Sequence, residues 1–291
     1  MGRMATVNGT KHTYVDSDGV TIHYTRWLPA KPIAVAQISH GQGDHRGRYE
    51  DLAQYLAGQG FAVYADDHRG HGETGLLQWD GNVNKFGYLG PRGVHGAVDS
   101  INQMTRIARS ENSGLPLAFL GHSMGSLFGQ IALDAGTLDA DLVVWSGTAL
   151  RTLFTMNGGN LNARHAHLGT TGNEWLSRDV KVHNAFAADP FTFAANAMKQ
   201  FGIVGALQLL GTPKPATRDV PILMLQGEED SLGNEKSVVA LADRYLKAGY
   251  SDVKLISYRG ARHEVYNETN RDEVFADLST WLAERLQTIT A

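Results

Sequence analysis

Apolar residues fall along this chain in short blocks that alternate with longer amphipathic stretches. "VTIHYTRWLP" (residues 20–29) alternates apolar and polar positions, the period of a strand with one covered face. "IAVAQISHG" (33–41) reads as a buried strand that ends in glycine. "FAVYADDHRGHG" (61–72) reads as a strand followed by a polar, glycine-rich loop. "LPLAFLGHS" (115–123), "LVVWSG" (142–147), "VPILMLQGEED" (220–230) and "VKLISYRGARH" (253–263) read as further strands. Between them, "RYEDLAQYLAGQG" (48–60), "VHGAVDSINQMTRIARS" (94–110) and residues 235–248 and 271–288 carry apolar positions at helical spacing. Strand and helix in alternation predict crossover units, hence a mostly parallel sheet with helices on both faces.

The rhythm breaks between residues 148 and 217. "MNGGNLNARHAHLGTTGN" (156–173) is a loop composition, and "PFTFAANAMKQFGIVGALQLL" (190–210) holds helical pieces. The expectation is a core formed by residues 1–147 and 218–291, interrupted by an insertion over 148–217. No internal repeat or low-complexity tract stands out.

Composition narrows the function. The 291 residues, 42% hydrophobic and 19% charged, suffice for one large core. A net charge of −4 without a Lys/Arg run argues against a nucleic-acid partner and against electrostatic attachment to acidic lipid. With no cysteine, disulfides, thiolate metal sites and a cysteine nucleophile are excluded. The first residues lack the apolar run of a signal peptide, and no stretch is long and apolar enough to span a bilayer, so no stable membrane insertion and a cytoplasmic location are expected. Residues 2–6 match the N-myristoylation pattern, read as a chance match in a short degenerate motif.

The chemistry concentrates in "PLAFLGHSMGSLFGQIAL" (116–133), where a strand runs through Gly121-His122-Ser123-Met124-Gly125 into a helix. A tight strand-to-helix turn strains its central residue and crowds the backbone on either side, and glycines two positions away relieve that crowding. Ser123 is then held out at the carboxyl edge of the sheet, and the Met124 N–H points into the same space from the helix N-terminus. A serine hydroxyl needs a general base, and the base needs a group that fixes its tautomer. Asp230 follows Gly227 after one strand, and His263 follows the last strand, in the order serine, acid, histidine expected of this topology. Glu228 and Glu229 compete for the acid role, but Asp230 stands beyond the turn. The loop Ser39-His40-Gly41-Gln42-Gly43-Asp44-His45 offers the Gln42 N–H as a second oxyanion donor, with His40 and His45 fixing the loop. His68 and His71 beside Asp66 and Asp67 read as bracing for that loop rather than as metal ligands, and no phosphate-binding loop is present.

"SHGQGDHRGRY", "DDHRGHGET", "GHSMGS", "QGEEDSLG", "GARHEVYNE" and, in the insertion, "WLSRDVKVHNAFAADPF" together resemble the monoacylglycerol lipase and lysophospholipase-like branch of the serine α/β-hydrolases, from about residue 12 to 289. The resemblance implies an α/β-hydrolase fold: a mostly parallel eight-stranded sheet, helices on both faces and a helical cap over 148–217. It implies Ser123 as nucleophile, Asp230 as acid, His263 as base, Gln42 and Met124 as oxyanion-hole amides, and hydrolysis of a small-molecule carboxylic ester without a cofactor. In the cap, Phe154, Phe186, Phe191, Phe193, Phe201, Ile203, Val204 and Leu207 are candidates for an apolar substrate pocket or for the cap's own small core. The Gly/Asn/His-rich 156–173 stretch departs from a greasy, membrane-docking cap and favours a small or medium soluble ester. The same triad would serve a thioester, lactone, amide or peptide; a non-catalytic binder is disfavoured because all three triad residues are present.

Overall fold

The computed structural model describes residues 6–290, the last by its backbone only; apart from Thr6, the N-myristoylation pattern lies outside the described residues. The strands are β1 (Gly9–Val15), β2 (Thr21–Trp27), β3 (Ala34–Ser39), β4 (Phe61–Asp66), β5 (Leu117–His122), β6 (Leu142–Ser146), β7 (Ile222–Gly227) and β8 (Val253–Tyr258). They form one eight-stranded sheet in the order β1-β2-β4-β3-β5-β6-β7-β8. β2 is antiparallel to β1 and to β4, and all other pairs are parallel. The helices are α1 (Glu50–Gly58), α2 (Gly72–Gln78), α3 (Gly93–Glu111), α4 (Met124–Asp134), α5 (Val180–Ala188), α6 (Ala197–Gln208), α7 (Glu235–Lys247) and α8 (Arg271–Thr290). α2 begins where the sequence reads as loop; Gly72 at its first position has φ +52°. β1 was not legible as a strand, because its edge position leaves it mostly exposed and polar. None of the helices among the described residues is long and apolar enough to cross a membrane.

The central strands are buried along their whole length, so their sequences look continuously apolar, yet their side chains still alternate between two cores. From β5, Leu117 and Phe119 join Trp145, Met224, Phe128 and the apolar stripe of α3 on one face. Ala118 and Leu120 join Leu52, Leu223, Trp281 and Leu282 on the other, beneath α1 and α8. Burial of these stripes from water supplies the main driving force for the layered arrangement.

Residues 147–221 leave the sheet between β6 and β7 and carry α5 and α6, the latter broken at Gly202 (φ +66°). This inserted segment, termed the lid because it falls where the sequence predicts one, has a small core of its own, Trp175, Leu176 and Phe186, with Leu161 and Val182 packed on it.

Parallel pairing places all the strand-to-helix turns on one edge. β3 and β5 pair with Ser39 opposite Gly121, which sets the His40–His45 loop beside Ser123. α4 can lie this close to the sheet because Gly129 faces Trp145 and Phe119; an added Cβ there would meet their ring atoms at 2.6 and 2.7 Å. Gly129→Ala is therefore expected to destabilise by about 1–3 kcal/mol through overpacking, although alanine is the better helix former. Urea unfolding checks this, and an unchanged or raised midpoint would contradict it.

Candidate active site

Ser123 has φ +50° and ψ −121°, an unfavourable region for a residue with a Cβ. The turn is over-determined. Ser123 N–H donates to Ser146 O on β6 at 2.9 Å, and the Ser126 N–H and hydroxyl both close back on Ser123 O at 2.9 and 2.6 Å. A Cβ on Gly121 would lie 2.7 Å from the Ser126 Cα, and one on Gly125 2.6 Å from the Ser39 hydroxyl, so both positions require glycine. The Ser123 side chain stands at the wall of a cavity at this edge of the sheet.

Asp230 and His263 arrive at the same edge from β7 and β8. Asp230 N–H turns back on Gly227 O at 3.1 Å, and its Oδ1 accepts the Leu232 N–H at 2.8 Å. His263 Nδ1 lies 2.9 Å from both Asp230 oxygens. A proton on Nδ1 satisfies that carboxylate and leaves Nε2 as the free base. His263 Nε2 is buried and has no hydrogen-bond partner among the described residues. The rivals are engaged elsewhere: Glu228 accepts the Gly260 N–H at 2.9 Å, and Glu229 is a partly exposed partner of Arg164 at 3.9 Å.

The lid holds the histidine loop. His263 N–H and Glu264 N–H donate to Trp175 O and Leu176 O at 3.3 and 2.7 Å, and the Trp175 ring lies 4.5 Å from the imidazole. Arg48 donates twice to Glu264, at 2.7 Å each, once to Asp44 at 3.1 Å, and lies over the Phe186 ring. Burial favours the neutral form of Glu264, but Arg48 outweighs it and holds the carboxyl down to about 2. None of Arg48, Glu264 or Trp175 was singled out in the sequence; Glu264 next to His263 was the available signal.

The loop after β3 is tied at its start. His40 Nε2 accepts the His68 N–H at 2.9 Å, so its Nδ1 carries the proton donated to Gly41 O at 2.7 Å, and His40 O accepts the Gly125 N–H at 3.0 Å. His45 Nδ1 accepts the Gly47 N–H, and its Nε2 donates to Asp189 of the lid at 2.9 Å. Gln42 lines the cavity, and its N–H donates to no group among the described residues. Met124 N–H belongs to the first turn of α4, which has no carbonyl of its own helix to bond. His68 lies against Ser39 and Asp66, and Asp67 pairs with Arg46. Among the described residues no three His, Asp or Glu side chains converge on a point that would hold a metal ion.

The cavity, about 510 Å³, contains Ser123, His263, Gln42 and Met124 in its wall. Of the cap residues singled out in the sequence, Phe186 and Phe193 line it, as does Phe201, and Phe186 also belongs to the lid core. The others do not. Phe154 is 97% exposed, and Ile203 and Leu207 are 68% and 57% exposed on the outer face of α6, which turns only its other side inward. Phe191 packs instead on His45, with ring centroids 5.7 Å apart. Periodicity cannot tell the two faces of a helix that is apolar all round.

The model of the family described as serine aminopeptidase, S33, matches residues 30–270. The chain belongs to this family of α/β-hydrolases. The monoacylglycerol lipase of Mycolicibacterium smegmatis is 31% identical to it, over 97% of this chain and 100% of that protein. Human monoglyceride lipase is 30% identical, over 94% and 90%. In fold, a thermostable carboxyl esterase from Bacillus coagulans superposes with a TM-score of 0.83 at 23% identity, covering 97% of this chain and all of that one. A soluble variant of the Saccharomyces cerevisiae monoglyceride lipase gives 0.76 at 18% identity, over 97% and 96%. Membership places the chain among serine hydrolases of the esterase and monoacylglycerol lipase kind.

Three buried histidines around this site resist protonation. Burial lowers His122 and His71 to about 3, His263 adding to the effect on His122 and His68 to that on His71; burial likewise pushes His40 well down. For His122 and His71 the unfolded chain therefore binds protons below about pH 6.5 that the folded chain refuses until about pH 3. Each of the two costs about 1.4 kcal/mol of stability per pH unit in that window, and His40 acts in the same direction. The urea midpoint is expected to fall steeply from pH 7 to pH 5; a flat midpoint over that range would contradict the neutral, buried assignment.

Proposed function

We propose that this hydrolase cleaves carboxylic esters through an acyl-enzyme on Ser123, with His263 as general base and Asp230 holding the imidazole. One observation carries the reading. His263 spends Nδ1 on Asp230 and keeps Nε2 buried, without a hydrogen-bond partner among the described residues, in the cavity that Ser123 faces from its strained turn. Ser123 Oγ attacks the ester carbonyl carbon while His263 Nε2 takes the hydroxyl proton. The carbonyl oxygen becomes an oxyanion held by the Gln42 and Met124 amides. Collapse expels the alcohol, which takes the proton from His263. Water then enters by the same route and releases the acid.

The cavity supports a small to medium monoester of monoacylglycerol-like design. Its volume falls in the usual range of small-ligand sites. Leu127, Met156, Phe201, Leu209 and Leu232 give its wall apolar surface on which an acyl chain would pack. Asn157, Asn160, Asn162, Asn173 and Asn196 make part of the same wall polar, which suits a hydroxylated alcohol. The family description also raises a peptide substrate with a free amino terminus. Such a substrate needs a carboxylate for its ammonium group, and the two acidic side chains in the cavity wall, Asp44 and Glu264, are both committed to Arg48. That commitment favours the ester.

A fluorophosphonate probe is expected to add one adduct to the intact protein, at Ser123, and none to Ser123→Ala. Asp230→Asn should lower kcat on a p-nitrophenyl ester about 10⁴-fold by imposing the wrong imidazole tautomer. Unimpaired hydrolysis by Ser123→Ala, or labelling elsewhere, would overturn the mechanism. Faster turnover of aminoacyl anilides than of p-nitrophenyl butyrate would overturn the ester assignment alone.

A further inference from the structure

We propose that Gln200, on lid helix α6, is a positioning residue for the oxyanion loop and acts through the side chain of Gln42. The inference rests on the reading of the Gln42 N–H as an oxyanion donor. Gln42 Nε2 donates to Gln200 Oε1 at 2.6 Å, across 158 residues of sequence. The orientation of the Gln200 carboxamide is dictated by its surroundings: its oxygen also accepts the Asn196 N–H at 2.8 Å, and its nitrogen donates to Ala194 O at 3.3 Å. An inverted amide would set donor against donor and acceptor against acceptor, so Gln200 offers Gln42 an oxygen and nothing else. The side chain is 7% exposed and packs on Gly87, where an added Cβ would lie 2.5 Å from its Cγ.

Gln42 needs such a tether because it stands between two glycines. Gly41 passes so close to Ser123 that a Cβ would lie 3.2 Å from the serine Cβ, and Gly43 has φ +75°. Glycines on both sides leave the intervening peptide free to rotate. The core fixes His40, and Arg48 and Tyr49 hold Asp44, but the lid supplies the contacts at Gln42, Gly43 and His45: Gln200 at Gln42, Phe193 N–H on Gly43 O at 3.1 Å, and Asp189 at His45. Only the contact at Gln42 is made by the side chain of the residue whose amide faces the substrate. The placement of that donor is therefore coupled to the seating of α6, and the lid acts on the chemical step as well as on access.

The test is a double-mutant cycle on a soluble p-nitrophenyl ester with Gln200→Leu, Gln42→Leu and the pair. Gln42→Leu keeps the backbone amide and removes only the tether. Each single change is expected to lower kcat about tenfold, less than outright loss of an oxyanion donor, with KM within about twofold. The pair should fall no further than the worse single, because both remove one bond. Reaction with the fluorophosphonate, whose P=O needs the same donors, should slow in step with kcat. Unchanged kcat, a loss in KM alone, or losses that multiply would overturn the inference. If Gln200→Leu does not melt as a folded protein, Gln42→Leu decides by the same kcat criterion. Labelling of Ser123 in the unmodified protein and its loss in Ser123→Ala report on the ester-hydrolase reading independently, so a failure of that reading is recognised as such.

Discussion

Ser123 is held at a positive φ by hydrogen bonds to its own amide and carbonyl and by two glycines that nothing larger can replace. The strain of such a residue costs of the order of 1–3 kcal/mol and persists only because the flanking strand, the helix and β6 fix every backbone group around it. Its consequence is positional. Ser123 leaves the sheet at its carboxyl edge, Met124 lines the same cavity, and the loop after β3 lies alongside through the Ser39–Gly121 pairing. Asp230 and His263 then need only to follow the last two strands, β7 and β8, in order.

What the sheet does not provide, the lid does. The histidine loop hangs on two carbonyls of residues 175–176, Trp175 covers the imidazole, and Arg48 gathers Asp44, Glu264 and Phe186 into one buried group. A buried ion pair of this kind is weak evidence for stability, but breaking one partner leaves an uncompensated charge. Here it links the loop that carries Gln42 to the loop that carries His263, two segments more than 200 residues apart in sequence. The loops that carry Gln42 and His263 are thus tied to each other and, through Gln200, Trp175 and Leu176, to one inserted segment.

The sequence exposed the core of this arrangement because its determinants are local. A glycine-flanked serine between an apolar strand and a helix, and polar residues just past later strands, are visible in consecutive letters, and β3 to β8 and the flanking helices fall where the periodicity puts them, within a few residues. β1 escaped because an exposed edge strand such as "GTKHTYV" has no buried stripe to reveal it. The lid was legible only as an interruption. Its apolar residues divide between a cavity wall, a small core and an outer face, and α6 is apolar nearly all round. Thus Phe186 and Phe193 point inward while Phe154, Ile203 and Leu207 face water. Trp175, Arg48 and Gln200 escaped for a different reason: each acts through a partner distant in sequence, which no single stretch of chain records.

A crystal structure of the protein with a phosphonate bonded to Ser123 Oγ tests the central claim most directly. The account predicts the phosphoryl oxygen within about 3 Å of both the Gln42 and Met124 nitrogens, the distance an oxyanion donor requires, with His263 Nε2 turned to the leaving-group side and Nδ1 still on Asp230. A phosphoryl oxygen bonded elsewhere, or an imidazole swung away from Asp230 and the adduct, would contradict it.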